Sequence, residues 1–316
     1  MTVADLGEFA LIAAVTERLP QGEGVLLGPG DDAAVIAAPD ARVVVTTDLL
    51  IENRHFRRDW SSAVDVGHKA AAQNLADITA MGARPTAITV GLGVPPELPA
   101  AWALELADGL REECEPAGVS VAGGDVVQSD LIVIAVTALG DLGGRAPVTR
   151  AGARPGDVVA VCGRLGWAGA GFHVLSRGFK SPRVLVDAHR RPQVAYDAGP
   201  EAADLGATSM CDVSDGLLAD VGHIADASGV LIDIDPEALE LPEQLLDVAR
   251  ALGVDPLEWV LTGGEDHALV ATFGPDVALP DRWRPIGQVK ENQGEGVNVL
   301  VAGESHEGDA GHVHFR

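Results

Sequence analysis

Residues 209–229, SMCDVSDGLLADVGHIADASG, hold the junction on which the fold reading turns. Met210–Val213 has the length and apolar content of a short strand, and Asp-Val-Ser-Asp-Gly interrupts it. The segment that follows predicts a helix beginning near Gly216 and ending at Gly229, with a further strand at Val230–Ile234 immediately after. The same alternation extends in both directions. Upstream, strands are predicted at Arg42–Leu49 (a buried one), Thr86–Val90, Val119–Val121 and Leu131–Leu139. Two helices, Ser61–Met81 and Ala100–Glu113, fall between them. Ser61 or Ser62 serves as N-cap of the first and Gly82 as its stop. Nearer the junction, a strand at Val158–Val161 precedes helices at Trp167–Arg177 and around Gln193–Leu205. Downstream come a helix at Leu241–Leu252, a strand at His267–Phe273 and a loop at Glu291–Gly296. Strands and helices interleave throughout, so the class is mixed α and β, α/β in its ordering. No repeat with a period of roughly 20–50 residues is present, which excludes a solenoid or propeller.

Gly140–Asp157 is rich in Gly, Arg and Pro and lacks apolar periodicity, which marks a domain boundary. The expected domains are 1–145 and 146–316. A length of 316 residues agrees with two domains at roughly 150 residues each. Lys and Arg number 22 against 47 Asp and Glu, a net charge of 22 − 47 = −25. That balance excludes a nucleic-acid binder acting through a general basic surface and argues against docking on anionic lipid. Only three cysteines occur, Cys114, Cys162 and Cys211. They are too scattered for a zinc knuckle and too few for a disulfide scaffold, and read as small buried apolar residues. The run Leu131–Leu139 is too short to span a bilayer, so a soluble, cytoplasmic protein is expected.

Among the basic residues only Lys69, Lys180 and Lys290 are lysines, and none follows a glycine. There is no Walker lysine, and Gly22-Glu23-Gly24 fails the dinucleotide fingerprint because Leu27 stands at the third glycine. Instead, one local pattern recurs: a strand ends in an Asp or Glu beside Gly, Ser or Thr. It appears in Gly28-Pro29-Gly30-Asp31-Asp32, Thr46-Thr47-Asp48, Gly123-Gly124-Asp125, Asp212-Val213-Ser214-Asp215-Gly216 and Gly263-Gly264-Glu265-Asp266. Each alone is accounted for by turn or helix-cap chemistry. As a set they offer hard oxygen ligands suited to Mg²⁺, with glycines that let phosphate oxygens approach the backbone. A nest of acids would repel a polyphosphate by itself, and bound metal ions reverse that sign. Asp212 and Asp215 can face one ion, and Asp77, three residues after Asn74 on one helical face, can close the cluster from the side.

These residues resemble the thiamine-monophosphate kinase family, within the superfamily of aminoimidazole ribonucleotide synthetase and selenophosphate synthetase. The resemblance rests on GPGDDAAV (28–35), TTDLLIENRHF (46–56), NLADITAMGARP (74–85), AGGD (122–125), DVSDGL (212–217) and GGED (263–266). It implies a two-domain subunit, an N-terminal ATP/Mg-binding and dimerisation domain forming a barrel-like homodimer interface and a C-terminal α/β domain, with nucleotide in the cleft between them. The implied reaction is transfer of the ATP γ-phosphoryl group onto thiamine monophosphate, giving thiamine diphosphate. By the same resemblance Asp32, Thr46, Thr47, Asp48, Asp77, Asp125, Asp212 and Asp215 hold several Mg²⁺ ions. Gly124, Asp125, Arg150 (in VTRAG) and Ser214 contact ATP, and His55, Glu265 and His312 contact thiamine monophosphate. His55 is read as a substrate contact rather than a general base. The family carries an aromatic residue where this chain has His312, whose neutral imidazole stacks over a smaller area. The competing expectations are another ATP-dependent enzyme of the superfamily and a non-catalytic Mg-nucleotide-binding protein.

Overall fold

The computed structural model describes residues 2–6, 8–28, 34–292, 294 and 298–312. It divides into two compact units, one of Met1–Ile78 with Ala83–Gly144 and the other of Thr79–Gly82 with Arg145–Arg316. A single cut near residue 145 would leave Thr79–Gly82 in the first unit. In the structure these residues cluster with the second, where Ala80 joins the apolar core with Val148 and Ala202.

In the first unit, helices α1 (Val3–Leu6) and α2 (Glu8–Thr16) precede a small ribbon of β1 (Val25–Leu27) and β2 (Val35–Ile36). The main sheet contains β3 (Val44–Ile51), β4 (Arg84–Val94), β5 (Ser120–Gln128) and β6 (Val133–Asp141) in the order β3-β6-β4-β5. Only β4 and β5 run parallel. Between the strands lie α3 (Ala63–Ala80) and α4 (Ala100–Cys114). Ser62 caps α3 through a reciprocal box: its Oγ accepts from the Asp65 amide, and Asp65 accepts from the Ser62 amide at 2.9 Å. The helix is alanine-rich and buried nearly all round, with Ala70, Ala71, Ala72, Leu75, Ala76 and Ile78 at 0% exposure.

The buried strand expected over Arg42–Leu49 is corrected by the structure. The strand begins and ends two residues later and alternates: Leu50 is 2% exposed, but Val45 and Leu49 are 61% and 48% exposed. Helix α3 lies against one face of the strand and the other face stays open, as it does for the interior strand β6.

The second unit is a six-stranded sheet ordered β12-β9-β11-β7-β10-β8, built from β7 (Val158–Cys162), β8 (Ser209–Asp212), β9 (Val230–Ile234), β10 (Leu269–Phe273), β11 (Arg284–Glu291) and β12 (Val299–Val301). Every pair is antiparallel except β12 with β9. Its helices are α5 (Trp167–Ser176), α6 (Arg183–Arg190), α7 (Ala198–Asp204), α8 (Leu217–Ser228), α9 (Glu243–Leu252) and α10 (Pro256–Thr262). Phe273 and Trp283 meet edge to face at 5.3 Å within the core, and the Trp283 indole donates to Glu201.

The helix expected around Gln193–Leu205 is shortened to α7, from Ala198, and α6, which ends before Pro192, has no counterpart in the sequence reading. Arg191 sits at φ −137° and ψ 87°, the extended geometry a following proline favours, which ends α6 there. α10, β11 and β12 have no counterpart in the sequence reading. Asp255 caps α10 with Pro256 in its first turn, while β11 buries only Ile286 and Val289 and presents little apolar pattern. Glu291 closes β11 rather than opening a loop, and much of 292–297 lies outside the described residues. The three cysteines are buried and unpaired. No helix among the described residues is long and apolar enough to cross a membrane.

Candidate functional site

In the first unit the site grows from β3 lying against α3. Alternation along β3 turns Thr46 and Asp48 to the helix side and Thr47 to the other. The Thr46 hydroxyl donates to Asp77 at 2.7 Å. Asn74, 1% exposed, accepts the Asp48 amide at 3.0 Å and donates to the Ala70 carbonyl. Gln73 donates to the Asp48 carboxylate at 3.2 Å. Thr46, Asp48 and Asp77 are therefore brought together, and Asp77, the one half-buried position along 70–80, is no solvated flank. Thr47 instead pairs hydroxyl to hydroxyl with Thr137 at 2.7 Å on the outer face.

Asp125 is paired with Gly91, which is paired with Ala135 opposite Leu49, so Asp125 also belongs to the outer face. Gly124 lies on the row of Val90, Val136 and Asp48. His55 follows β3, where its Nδ1 accepts the Ile51 amide at 3.0 Å. That bond leaves the ring proton on Nε2 and makes His55 a clasp on the strand end. Asp32 lies outside the described residues.

The second unit gathers residues far apart in the chain around the turn after β8. Asp212, 5% exposed, faces His267 Nδ1 at 2.9 Å. The Glu265 amide donates to the Ser214 carbonyl at 2.7 Å, and the His312 amide to the Asp215 carbonyl at 2.9 Å. Asp212, Ser214, Asp215, Glu265 and the exposed His312 thus converge on one turn. Gly216 permits it: φ is +133°, and a Cβ there would come within 2.6 Å of the Thr262 carbonyl. Glu265 and His267 adopt φ of +67° and +52° without being glycine, conformations that cost free energy and gather at ligand sites. Arg150 is exposed, its carbonyl tied to Ser228 at 3.0 Å.

Asp220 and His189 were missed by the sequence reading, and Asp266 entered it only as part of the Gly263–Asp266 junction. Asp220, in the first turn of α8, accepts the Ser214, Asp215 and Gly216 amides at 2.9, 3.0 and 3.1 Å through one oxygen, so a buried carboxylate holds the turn. Burial, with the nearby Asp212 charge, pushes its pKa up to about 7 against the amides' opposing pull. Asp266 accepts the Gly166 and Ala168 amides at 2.5 and 2.8 Å, and burial raises it to about 7 as well. His189, buried on α6, places Nδ1 3.2 Å from a Glu265 oxygen. The acidic first-turn position of Asp220 was a visible helix-start signal, but nothing local pointed to His189.

The donors on both units (carboxylates, Thr hydroxyls and an Asn amide) are hard oxygen ligands of the kind Mg²⁺ takes alongside water and phosphate. Among the described residues no three His, Cys, Asp or Glu side chains form a closed cage for an ion. A cavity of about 340 Å³ between residues 34–43 and the outer face of the first sheet touches none of these residues.

Residues 30–142 match the family AIR synthase related protein, N-terminal domain, and residues 154–308 match its C-terminal domain. The thiamine-monophosphate kinase of Mycobacterium tuberculosis H37Rv is 51% identical over 316 residues, covering 99% of this chain and 93% of the relative. The chain belongs to the thiamine-monophosphate kinase family. Solved members of this family share its fold. The thiamine-monophosphate kinase from Stenotrophomonas maltophilia K279a superposes with a TM-score of 0.81 at 32% identity, covering 95% of this chain and 98% of that one. AaThiL complexed with AMPPCP and TMP gives 0.80 at 32% identity and 99% coverage of both chains.

Proposed function

We propose that this protein transfers the γ-phosphoryl group of ATP to thiamine monophosphate, forming thiamine diphosphate and ADP. The observation that carries the reading is the turn after β8, where Asp212, Ser214 and Asp215 meet Glu265 and His312. That arrangement sets residues expected at the nucleotide beside residues expected at the acceptor. A solved family member holding AMPPCP and TMP together supports it.

The chemistry asks little of the protein beyond placement and charge. A phosphate oxygen of the acceptor is already ionised near neutral pH and needs no strong general base. His55, whose Nδ1 is committed to the Ile51 amide, accordingly acts as a contact. In the first unit Thr46, Asp48 and Asp77 would hold Mg²⁺, and in the second Asp212 and Asp215 would do so, the ions neutralising phosphate oxygens. Thr47 and Asp125, on the outer face of the sheet, stand apart from the first group. Ser214 and the amides of its turn hold phosphate oxygens, and Arg150 supplies a cationic clamp. Glu265 and His312 hold the acceptor's rings.

The working form is a homodimer in the cytoplasm. The outer face of the first sheet exposes Val45, Leu49 and Val127 at 61%, 48% and 53% around the Thr47–Thr137 pair. A strand face so apolar fits a second copy of the same sheet. Leu49→Lys should halve the particle mass by light scattering; an unchanged mass removes this face from the interface. Three buried, unpaired thiols suit a reducing compartment.

The test is a phosphorus-NMR time course with ATP, Mg²⁺ and thiamine monophosphate. Thiamine diphosphate should rise in step with ADP. Free phosphate in its place would mean hydrolysis, and no ADP would mean binding without catalysis.

A further inference from the structure

The longest run of the chain without an Asp or Glu is 158–186, and it carries Arg164, Arg177, Lys180 and Arg183. The last three belong to the tip of the α5–α6 hairpin. The two helices pack tightly, a Cβ on Gly171 falling 2.1 Å from the Leu185 carbonyl. A Schellman turn then closes α5: Gly178, at φ +81°, donates its amide to the Leu175 carbonyl, and Phe179 donates to that of Val174. The turn leaves Arg177 and Lys180 exposed, and Arg183 opens α6 with its side chain 85% exposed. Among the described residues Arg177 and Lys180 have no ion-pair partner, and Arg183 has only Asp187, 4.0 Å away. A cation at the first position of α6 also opposes the helix dipole, which favours an acid there.

The hairpin stands beside the turn after β8. His189 on α6 lies 3.2 Å from a Glu265 oxygen, and the Glu265 amide is bonded to the Ser214 carbonyl. Helical rise puts Arg183 roughly 9 Å along α6 from His189. The turn itself is acidic, with Asp212 and Asp215 on it and Asp220 beneath it. The whole chain carries a net charge of −25, so a phosphate-bearing molecule meets repulsion on its way in.

We propose that Arg177, Lys180 and Arg183 form a recruiting surface for phosphate-bearing substrates, a local positive field that draws them toward the turn after β8. The inference rests on the functional reading above and extends it from the groups that hold phosphates to the groups that bring them. Screening in about 0.1 M salt leaves a charge effective over ~10 Å, so the tip acts on the approach to α6 without contact. A field acts in proportion to ligand charge. Mg-bound ATP carries two net negative charges, whereas the thiazolium of thiamine monophosphate cancels one of the two on its ionised phosphate. ATP is therefore the substrate that gains more.

The test compares full-length wild type with Arg177→Glu/Lys180→Glu/Arg183→Glu, Lys180→Glu and Lys290→Glu in low and high sodium chloride. It measures kcat, KM for both substrates and calorimetric binding of Mg-AMPPCP. At low salt the triple variant should raise the KM for ATP about fivefold and that for thiamine monophosphate about twofold, with kcat near wild type. High salt should abolish both differences. Lys180→Glu should raise the KM for ATP more than Lys290→Glu, which makes the same change of charge where β11 ends, at the opposite edge of the sheet. Should the triple variant fail to fold, Lys180→Glu still decides, since that side chain is exposed and unpaired. Wild-type KM values at low salt overturn the inference and leave the functional reading standing. So does a rise that persists in high salt, falls on one substrate alone or is matched by Lys290→Glu. A wild type that neither binds nor turns over the two substrates overturns both.

Discussion

The carboxylates of the two units are held in opposite ways. In the first, Asp48 and Asp77 sit on a regular strand and a regular helix; Thr46 donates to the Asp77 carboxylate and Gln73 to that of Asp48, while Asn74 accepts the Asp48 amide. Removing one carboxylate there leaves β3 and α3 with their own backbone ladders. In the second, Asp212 ends β8 opposite Leu269, and Ser214 and Asp215 lie in the turn after it, which has no ladder of its own. A buried acid, a positive-φ glycine and amides from residues 265 and 312 hold it. The difference teaches that chemistry and stability are separable in the first unit and coupled in the second.

The comparison breaks first at Asp77. Asp77→Asn should lower thiamine diphosphate formation about 10²-fold by weakening a metal site, while the melting temperature stays within a few degrees. A large loss of stability instead would mean that this carboxylate serves the fold. Asp220→Ala should do the reverse in kind. Three amides lose their acceptor, which should cost about 2–3 kcal/mol in denaturant unfolding and lower activity about tenfold through a loosened turn. Unfolding free energy equal to wild type would show that the turn holds itself.

The smallest effect is one of pH. Asp266 has a folded pKa of about 7 against 3.8 for an ordinary carboxyl, because burial outweighs its two amide donors. Between those values the folded state binds the extra proton, so the stability this group contributes is present below about pH 4 and is lost as pH rises through 7. Asp220 is raised in the same direction, so Asp266→Asn should flatten only part of the decline in unfolding free energy between pH 4 and 7. An unchanged slope would mean that Asp266 is ionised throughout.

The same contrast explains what was legible in the sequence. Asn74 and Asp77 stand on one helical face because helix geometry puts them there, and the alternation of β3 separates Thr46 from Thr47 by the same kind of rule. The strand-turn-helix junction at 209–229 was readable because Gly216 and Gly229 punctuate it. His189 could not be found this way: it depends on how two helices approach at Gly171, a contact with no local signal. β3 read as buried because its composition is apolar on both faces, yet only packing decides which face is covered. β11, mostly polar and flanked by β7 and β9, gave periodicity little to detect.

The most direct measurement is the initial rate of thiamine diphosphate formation against Mg²⁺ concentration for wild type, Asp48→Asn and Asp215→Asn, one substitution in each unit. If Asp48 and Asp215 each hold Mg²⁺ for the reaction, each variant should turn over about 10²-fold more slowly at ordinary Mg²⁺ and need markedly more of the ion. Wild-type rates with wild-type Mg²⁺ dependence in both variants would contradict that account.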